Sequence, residues 1–140
     1  MSWSQRYDLG SRLTTDHECF GYKEALEKLQ HGVKVLIREG SAAKNFETLI
    51  SLLKEYPEQI MFCCDDKHPD NLIEAHINDH VKRALKHGHD LYNVLRAASY
   101  NVVKHYNLPV GLLQVGDNAD FIEIDNLQDF NILKSYIKGS

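Results

Sequence analysis

Three short apolar runs in this chain stop abruptly at clusters of charged and polar side chains, and a helical pattern follows each. Leu13-Thr14-Thr15 runs into Asp16-His17-Glu18. Val33-Lys34-Val35-Leu36-Ile37 runs into Arg38-Glu39-Gly40-Ser41, and Ile60-Met61-Phe62-Cys63-Cys64 into Asp65-Asp66-Lys67-His68. Successive strand-then-helix units predict a parallel sheet with right-handed crossovers. The carboxyl ends of parallel strands share one edge, and the loops that leave them converge there. The expected fold class is therefore α/β, and the expected place of the chemistry is that rim.

The helical stretches follow from their apolar spacing. Ala25, Leu26 and Leu29 mark a helix over residues 22–31, closed by Gly32. Phe46, Leu49, Ile50 and Leu53 mark one over 42–56, which Pro57 ends. Ile77, Val81 and Leu85 mark one over 72–88. Asp90 caps a further helix over 91–99, and a last turn covers 102–106. From Gly111 the pattern changes: Leu112-Leu113 and the alternating run Asp120–Asp125 read as a hairpin or pair of strands. Phe130, Leu133 and Ile137 then give a terminal helix over 127–137.

Composition narrows the class. The 140 residues suffice for one domain with a real core, and the net charge is −4. No basic stripe with interleaved aromatics is present, which argues against a nucleic-acid-binding module. No apolar run is long enough to span a bilayer, and the start has no apolar leader, so no membrane partner and a cytoplasmic location are expected. Cys19, Cys63 and Cys64 form no disulfide framework and read as free thiols.

The rim carries the chemistry. A histidine and an aspartate from different strand ends suit a divalent metal that activates water. Each cluster also has a plainer reading: Asp16 caps a turn beside a loop histidine, Arg38 and Glu39 form a solvated pair, and Ser41 caps the next helix. Three such clusters on one edge weigh against the plain readings jointly. His76 and His80 lie four apart on one helix face but lack an HExxH signature, and read as solvent-facing.

The strings Thr15-Asp16-His17-Glu18-Cys19, Ile37-Arg38-Glu39-Gly40-Ser41-Ala42-Ala43-Lys44-Asn45 and Cys64-Asp65-Asp66-Lys67-His68-Pro69-Asp70 resemble bacterial adenine deaminases, of the amidohydrolase superfamily. The run from Gly111 through Gly116-Asp117-Asn118-Ala119-Asp120-Phe121 resembles that superfamily's return from barrel to small β-domain. The resemblance implies a (β/α)8 barrel whose site holds two divalent metals, manganese or iron(II), and converts adenine to hypoxanthine and ammonia. It implies metal binding by His17 and Asp65 and catalytic roles for Asp65, with Asp66 the adjacent alternative, and His68. It places Arg38, Glu39 and Ser41 near the substrate.

Such a barrel takes ~250 residues, and this chain has 140. The family's His-x-His pair, bridging carboxylate and fifth-strand histidine have no counterpart here. The expected arrangement is a lead-in at 1–12, the last three βα units of a barrel at 13–110, and the start of the small β-domain with a terminal helix at 111–140. A fragment, a truncated paralogue or an excised domain all fit. Two outcomes are expected: part of a deaminase site that is inactive alone, or a non-catalytic domain that pairs with itself. Open sheet edges and an uncovered barrel-interior face favour a homo-oligomer.

Overall fold

A computed structural model describes residues 13–140. The lead-in expected at 1–12, with its turn at Gly10 and Ser11, lies outside the described residues. The elements in order are β1 (Thr15–Asp16), α1 (Tyr22–Gln30), β2 (Lys34–Arg38), α2 (Phe46–Leu49), β3 (Ile60–Cys63), α3 (Pro69–Glu74), α4 (Ile77–Lys86), α5 (Leu91–Leu95), α6 (Asn101–Tyr106), β4 (Phe121–Ile124) and β5 (Ile132–Tyr136). The first three strands form one parallel sheet in the order β1-β2-β3, with Asp16 opposite Val35 and Arg38 opposite Cys63. All three rim clusters therefore leave the sheet on one edge, as the apolar runs predict.

Strand alternation decides what each rim residue faces. Val35 and Ile37 point to the helices and join Phe46, Leu49, Ile60, Phe62, Val81 and Ala97 in the buried core. Burying a side chain of this size contributes roughly 1.5–3 kcal/mol, so this layer dominates the fold's stability. Arg38 falls on the opposite face from Ile37, and Glu39 returns to the helix side.

Several helices differ from their sequence patterns, each for a local reason. The helix expected over 42–56 begins only at Phe46, because Gly40 donates to the Ala43 carbonyl and Asn45 is drawn back to β2; after Leu49 it tightens into a 3₁₀ segment, Ile50–Lys54. The helix expected over 72–88 is two. Pro69, pre-set for a first helical position, starts α3 early, and Ala75 is extended, so α4 starts anew after His76. The stretch 91–106, expected as a helix and a separate turn, is continuous through a π-helical segment, Arg96–Tyr100. Asn101 fastens it to the sheet by donating to the carbonyls of Pro57 and Ile60. His80 is not solvent-facing: it is fully buried between Phe46 and Phe62.

The terminal helix expected over 127–137 is instead strand β5, antiparallel to β4. Asn126 accepts from the backbone of Gln128 and Asp129 and turns the chain. Phe130 then takes a left-handed backbone (φ 49°) that no helix continues, and its ring enters the core. Leu112-Leu113 forms no strand; β5 is the partner of β4. The α/β class stands, with this hairpin in place of a terminal helix. No helix among the described residues is long and apolar enough to cross a membrane.

Candidate active site

The rim brings His17, Arg38 and Asp65 together from three strand ends. Arg38 Nη1 donates to Asp65 Oδ2 at 2.7 Å, and its two terminal nitrogens each reach a Glu18 carboxylate oxygen at 3.3 Å. His17 Nε2 lies 3.2 Å from Glu18 Oε1 and 3.9 Å from Asp65 Oδ1. The guanidinium is nearly buried, with Phe20 stacked over it at 5.2 Å. Burial disfavours its charge, but the hydrogen bond it donates to Asp65 and the field of Glu18 outweigh this and raise its pKa. Arg38 therefore stays cationic and bridges two carboxylates. It is not half of a solvated pair with Glu39.

Glu39 faces away from this group. Its carboxylate accepts from Arg83 Nη1 of α4 at 2.6 Å, and Arg83 also holds Glu47 at 2.7 Å and lies 4.0 Å over the Phe46 ring. Glu39 and Arg83 line a polar cleft of about 280 Å³ with Lys44, Lys67, Asn71 and Asp79. Two adjacent residues expected at one site are thus divided by the strand between its two faces.

Ser41 is no helix cap. Its hydroxyl accepts from the His68 backbone N–H at 2.9 Å and donates to Asn71 Oδ1 at 3.0 Å. The His68 side chain is exposed above the rim. Asp66 turns from Asp65 to the β2 loop, where it accepts from the backbone of Ser41 and Ala42. Asp65 itself has a left-handed backbone (φ 47°), rare for a residue with a side chain and common at functional turns.

Asn45 carries a role that its place before a helix conceals. It caps nothing: its side chain accepts from the Arg38 N–H at 2.7 Å and donates to the Cys19 carbonyl at 2.8 Å. It is buried and locks the β1 loop to the end of β2, fixing His17 and Arg38 relative to each other.

Asp16 points away from His17. It accepts from Lys28 Nζ and from Cys19 Sγ, and Lys28 also holds Glu24 at 2.7 Å. Burial opposes the charge on Asp16, but the hydrogen bonds from Cys19 and Lys28 prevail and keep its carboxyl below the ordinary value. The same burial, with Asp16 beside it, pushes the Cys19 thiol up to about 12, so it stays protonated. Asp16, Cys19 and Glu24 are a trio of donors close enough for one ion, but the Lys28 ammonium lies among them.

The spacing of His17 and Asp65 is compatible with donors to one ion. Two donors roughly 2.0–2.2 Å from one ion can stand up to about 4.2 Å apart, and His17 Nε2 and Asp65 Oδ1 are 3.9 Å apart.

Residues 14–140 match the amidohydrolase family. The chain is 58% identical over 127 residues to an adenine deaminase of Sulfurovum sp. (strain NBC37-1), covering 91% of this chain and 24% of that protein. It is 55% identical over 136 residues to the adenine deaminase of Methanosarcina mazei, covering 96% of this chain and 24% of that protein. The chain thus spans about a quarter of the length of these curated relatives. In fold it is similar to the β-aspartyl dipeptidase of Fervidobacterium islandicum AW-1, with a TM-score of 0.65 at 19% identity over 84% of this chain and 35% of that one. The match over nearly all the described residues, with the parallel sheet and its polar rim, settles the family: this chain belongs to the amidohydrolases.

Proposed function

We propose that this chain supplies one face of an adenine deaminase site, with His17 and Asp65 holding a divalent metal and Asp65 also moving the proton. The observation that carries this reading is the convergence of His17 Nε2 and Asp65 Oδ1 at 3.9 Å on the sheet rim, in a chain 50–58% identical to adenine deaminases over its length. Membership of the amidohydrolases points to a divalent metal; manganese or iron(II) is the choice proposed here. Such a metal supplies a hydroxide-like water at neutral pH.

The chain's own residues do the rest. Arg38 fixes one oxygen of Asp65 and leaves the other toward His17, so the carboxylate has a defined free lone pair for a proton. That proton comes from the water that attacks C6 of adenine and passes to the departing amine, which leaves as ammonia. Neutralisation by Arg38 keeps Asp65 and Glu18 from repelling one another as charge develops. Arg38 is enclosed by carboxylates, so its proposed contribution is orientation of Asp65, with Ser41 and His68 nearer the substrate and Glu39 reaching the site only through its own cleft. The division of the chain at residues 12 and 110 is part of the same proposal.

Two protein donors leave an ion weakly held, and its bound water then keeps a pKa nearer that of the aqueous ion. The remaining ligands must come from elsewhere. The test is ammonia release from adenine with manganese or iron(II). The 140-residue chain alone should give none above background. The Sulfurovum relative with its matching quarter replaced by this chain should turn over, and Asp65→Asn or His17→Asn in that graft should abolish turnover. A folded graft with no activity refutes the reading.

A second reading, self-association in the cytoplasm without catalysis, is favoured by apolar side chains left in solvent on the hairpin, Leu133 at 57% and Ile137 at 71% exposed.

A further inference from the structure

Asp65 and Asp66 are adjacent carboxylates at a strand end, but their partners differ entirely. Asp65 meets Arg38 and His17. Asp66 has both oxygens engaged by backbone: Oδ1 accepts from Ser41 N at 3.1 Å and Oδ2 from Ala42 N at 3.3 Å. A carboxylate whose two oxygens both accept backbone hydrogen bonds ties two chain segments together.

The seat for this carboxylate is built into the β2 loop. A Cβ at Gly40 would lie 2.0 Å from Asp66 Oδ1, so a side chain there would push the carboxylate off its seat. Gly40 N donates to the Ala43 carbonyl at 3.0 Å, which curls the loop and presents the N–H groups of Ser41 and Ala42 to one side. A parallel tie runs beside it: Ser41 Oγ takes the His68 N–H and reaches Asn71. Lys67 N donates to the Cys64 carbonyl, so the two aspartates sit inside one tight turn.

We propose that Asp66 is a positioning residue, which clamps the β3 rim turn to the Gly40-Ser41-Ala42 loop and so holds Asp65 in its left-handed backbone, facing Arg38 and His17. A non-glycine residue stays in that region only when its surroundings over-determine it. Here the Arg38 bond fixes the Asp65 side chain, and the Asp66 clamp fixes the residue after it. Gly40 is part of the device, as the seat of the clamp. The consequence for metal holding rests on the role proposed above for Asp65; the clamp itself does not.

The experiment uses the full chain, isotope-labelled for NMR. In Asp66→Ala the Arg38 guanidinium protons should lose at least about 10-fold in protection against solvent exchange while circular dichroism keeps the fold. The Asp65 carboxyl carbon should move to the shift of a solvated aspartate. Asp66→Asn, which keeps one acceptor oxygen, should lie between, and it carries the comparison if Asp66→Ala does not fold. Gly40→Ala should reproduce the effect of Asp66→Ala in the native background and lose most of its effect in the Asp66→Ala background, where the atom it strikes is gone. Unchanged Arg38 protection in the Asp66 variants, or an equal effect of Gly40→Ala in both backgrounds, overturns the proposal. Manganese titration, read by paramagnetic broadening at His17 and Asp65, should weaken about 10- to 100-fold in Asp66→Ala. If manganese broadens neither residue in the native chain, the metal-holding role of Asp65 fails, and the exchange result alone decides the clamp.

Discussion

Arg38 reaches Asp65 at 2.7 Å across the ends of two neighbouring strands, and the same guanidinium takes both oxygens of Glu18. One buried cation thus holds the ends of β1, β2 and β3 in a fixed relation. Arg38→Met should cost about 2–4 kcal/mol, because it leaves the Asp65 carboxylate partly buried without its partner. Arg38→Lys should recover little of this, since an ammonium cannot match the fork that bridges two carboxylates. Urea denaturation checks both; a lysine variant as stable as the native chain would sink the bridging argument.

Lys28 presents a different kind of dependence. It is buried, and the hydrogen bonds it donates to Asp16 and Glu24 overcome its desolvation and raise its pKa, so it is charged at every working pH. Lys28→Met should cost about 2 kcal/mol through the unpaired Asp16 carboxylate. It should also open the Asp16, Cys19 and Glu24 trio to a soft divalent cation. Zinc or cadmium should then raise the melting temperature of the variant more than that of the native chain. Equal responses in both proteins would show that the ammonium does not exclude metal.

His80 makes stability depend on pH. Its burial between two phenylalanines lowers its pKa from the ordinary 6.5, and a backbone hydrogen bond at His76 offsets only part of this. The unfolded chain therefore binds a proton that the folded chain resists. The stabilising contribution is fully present above pH ~6.5 and is lost as pH falls toward the lowered folded value. Glu39 and Asp79 oppose the shift and Arg83 adds to it. The melting temperature should fall steadily between pH 7 and 5, and His80→Leu should flatten that slope. His80→Leu should also stabilise the chain at pH 7 by roughly 1 kcal/mol, by removing poorly satisfied polar atoms from the core. A slope that survives the substitution points to His89 or His105, whose values burial also lowers.

The hairpin tests self-association. Ile122, Leu133 and Ile137 leave large apolar surfaces in solvent. Light scattering should show dimers or larger species at high concentration, and Leu133→Lys with Ile137→Lys should return the chain to a monomer. A clean monomer in the native chain removes this expectation.

The sheet was readable because each of its strands is a short apolar run closed by charge, and such runs have few alternatives. The last element was not, because Phe130, Leu133 and Ile137 fit helical spacing while Ile132, Lys134 and Tyr136 fit a strand. What decides between them is turn chemistry: the Asn126 side chain caps two backbone N–H groups, and Phe130 goes left-handed into the core. The convergence of His17, Arg38 and Asp65 could be read from strand ends alone. The departure of Glu39 was also legible in principle, since neighbours on a strand face opposite sides. Asn45 was not: nothing in its sequence context separates a helix cap from a buried tie between two loops.

The division between Arg38 and Glu39 makes strand register a safeguard of charge. If one residue were inserted into β2, the two would trade faces. The Glu39 carboxylate would then lie on the same face as Asp65 and Glu18, with Ile37 in the place of Arg38, and Arg83 would face a guanidinium in place of its partner. Neither side could relax without losing the sheet's pairing. Errors of alignment in this strand are therefore punished twice, once on each face. A chain that could slide by a single step during folding has, at this point, an electrostatic reason to lock into one position.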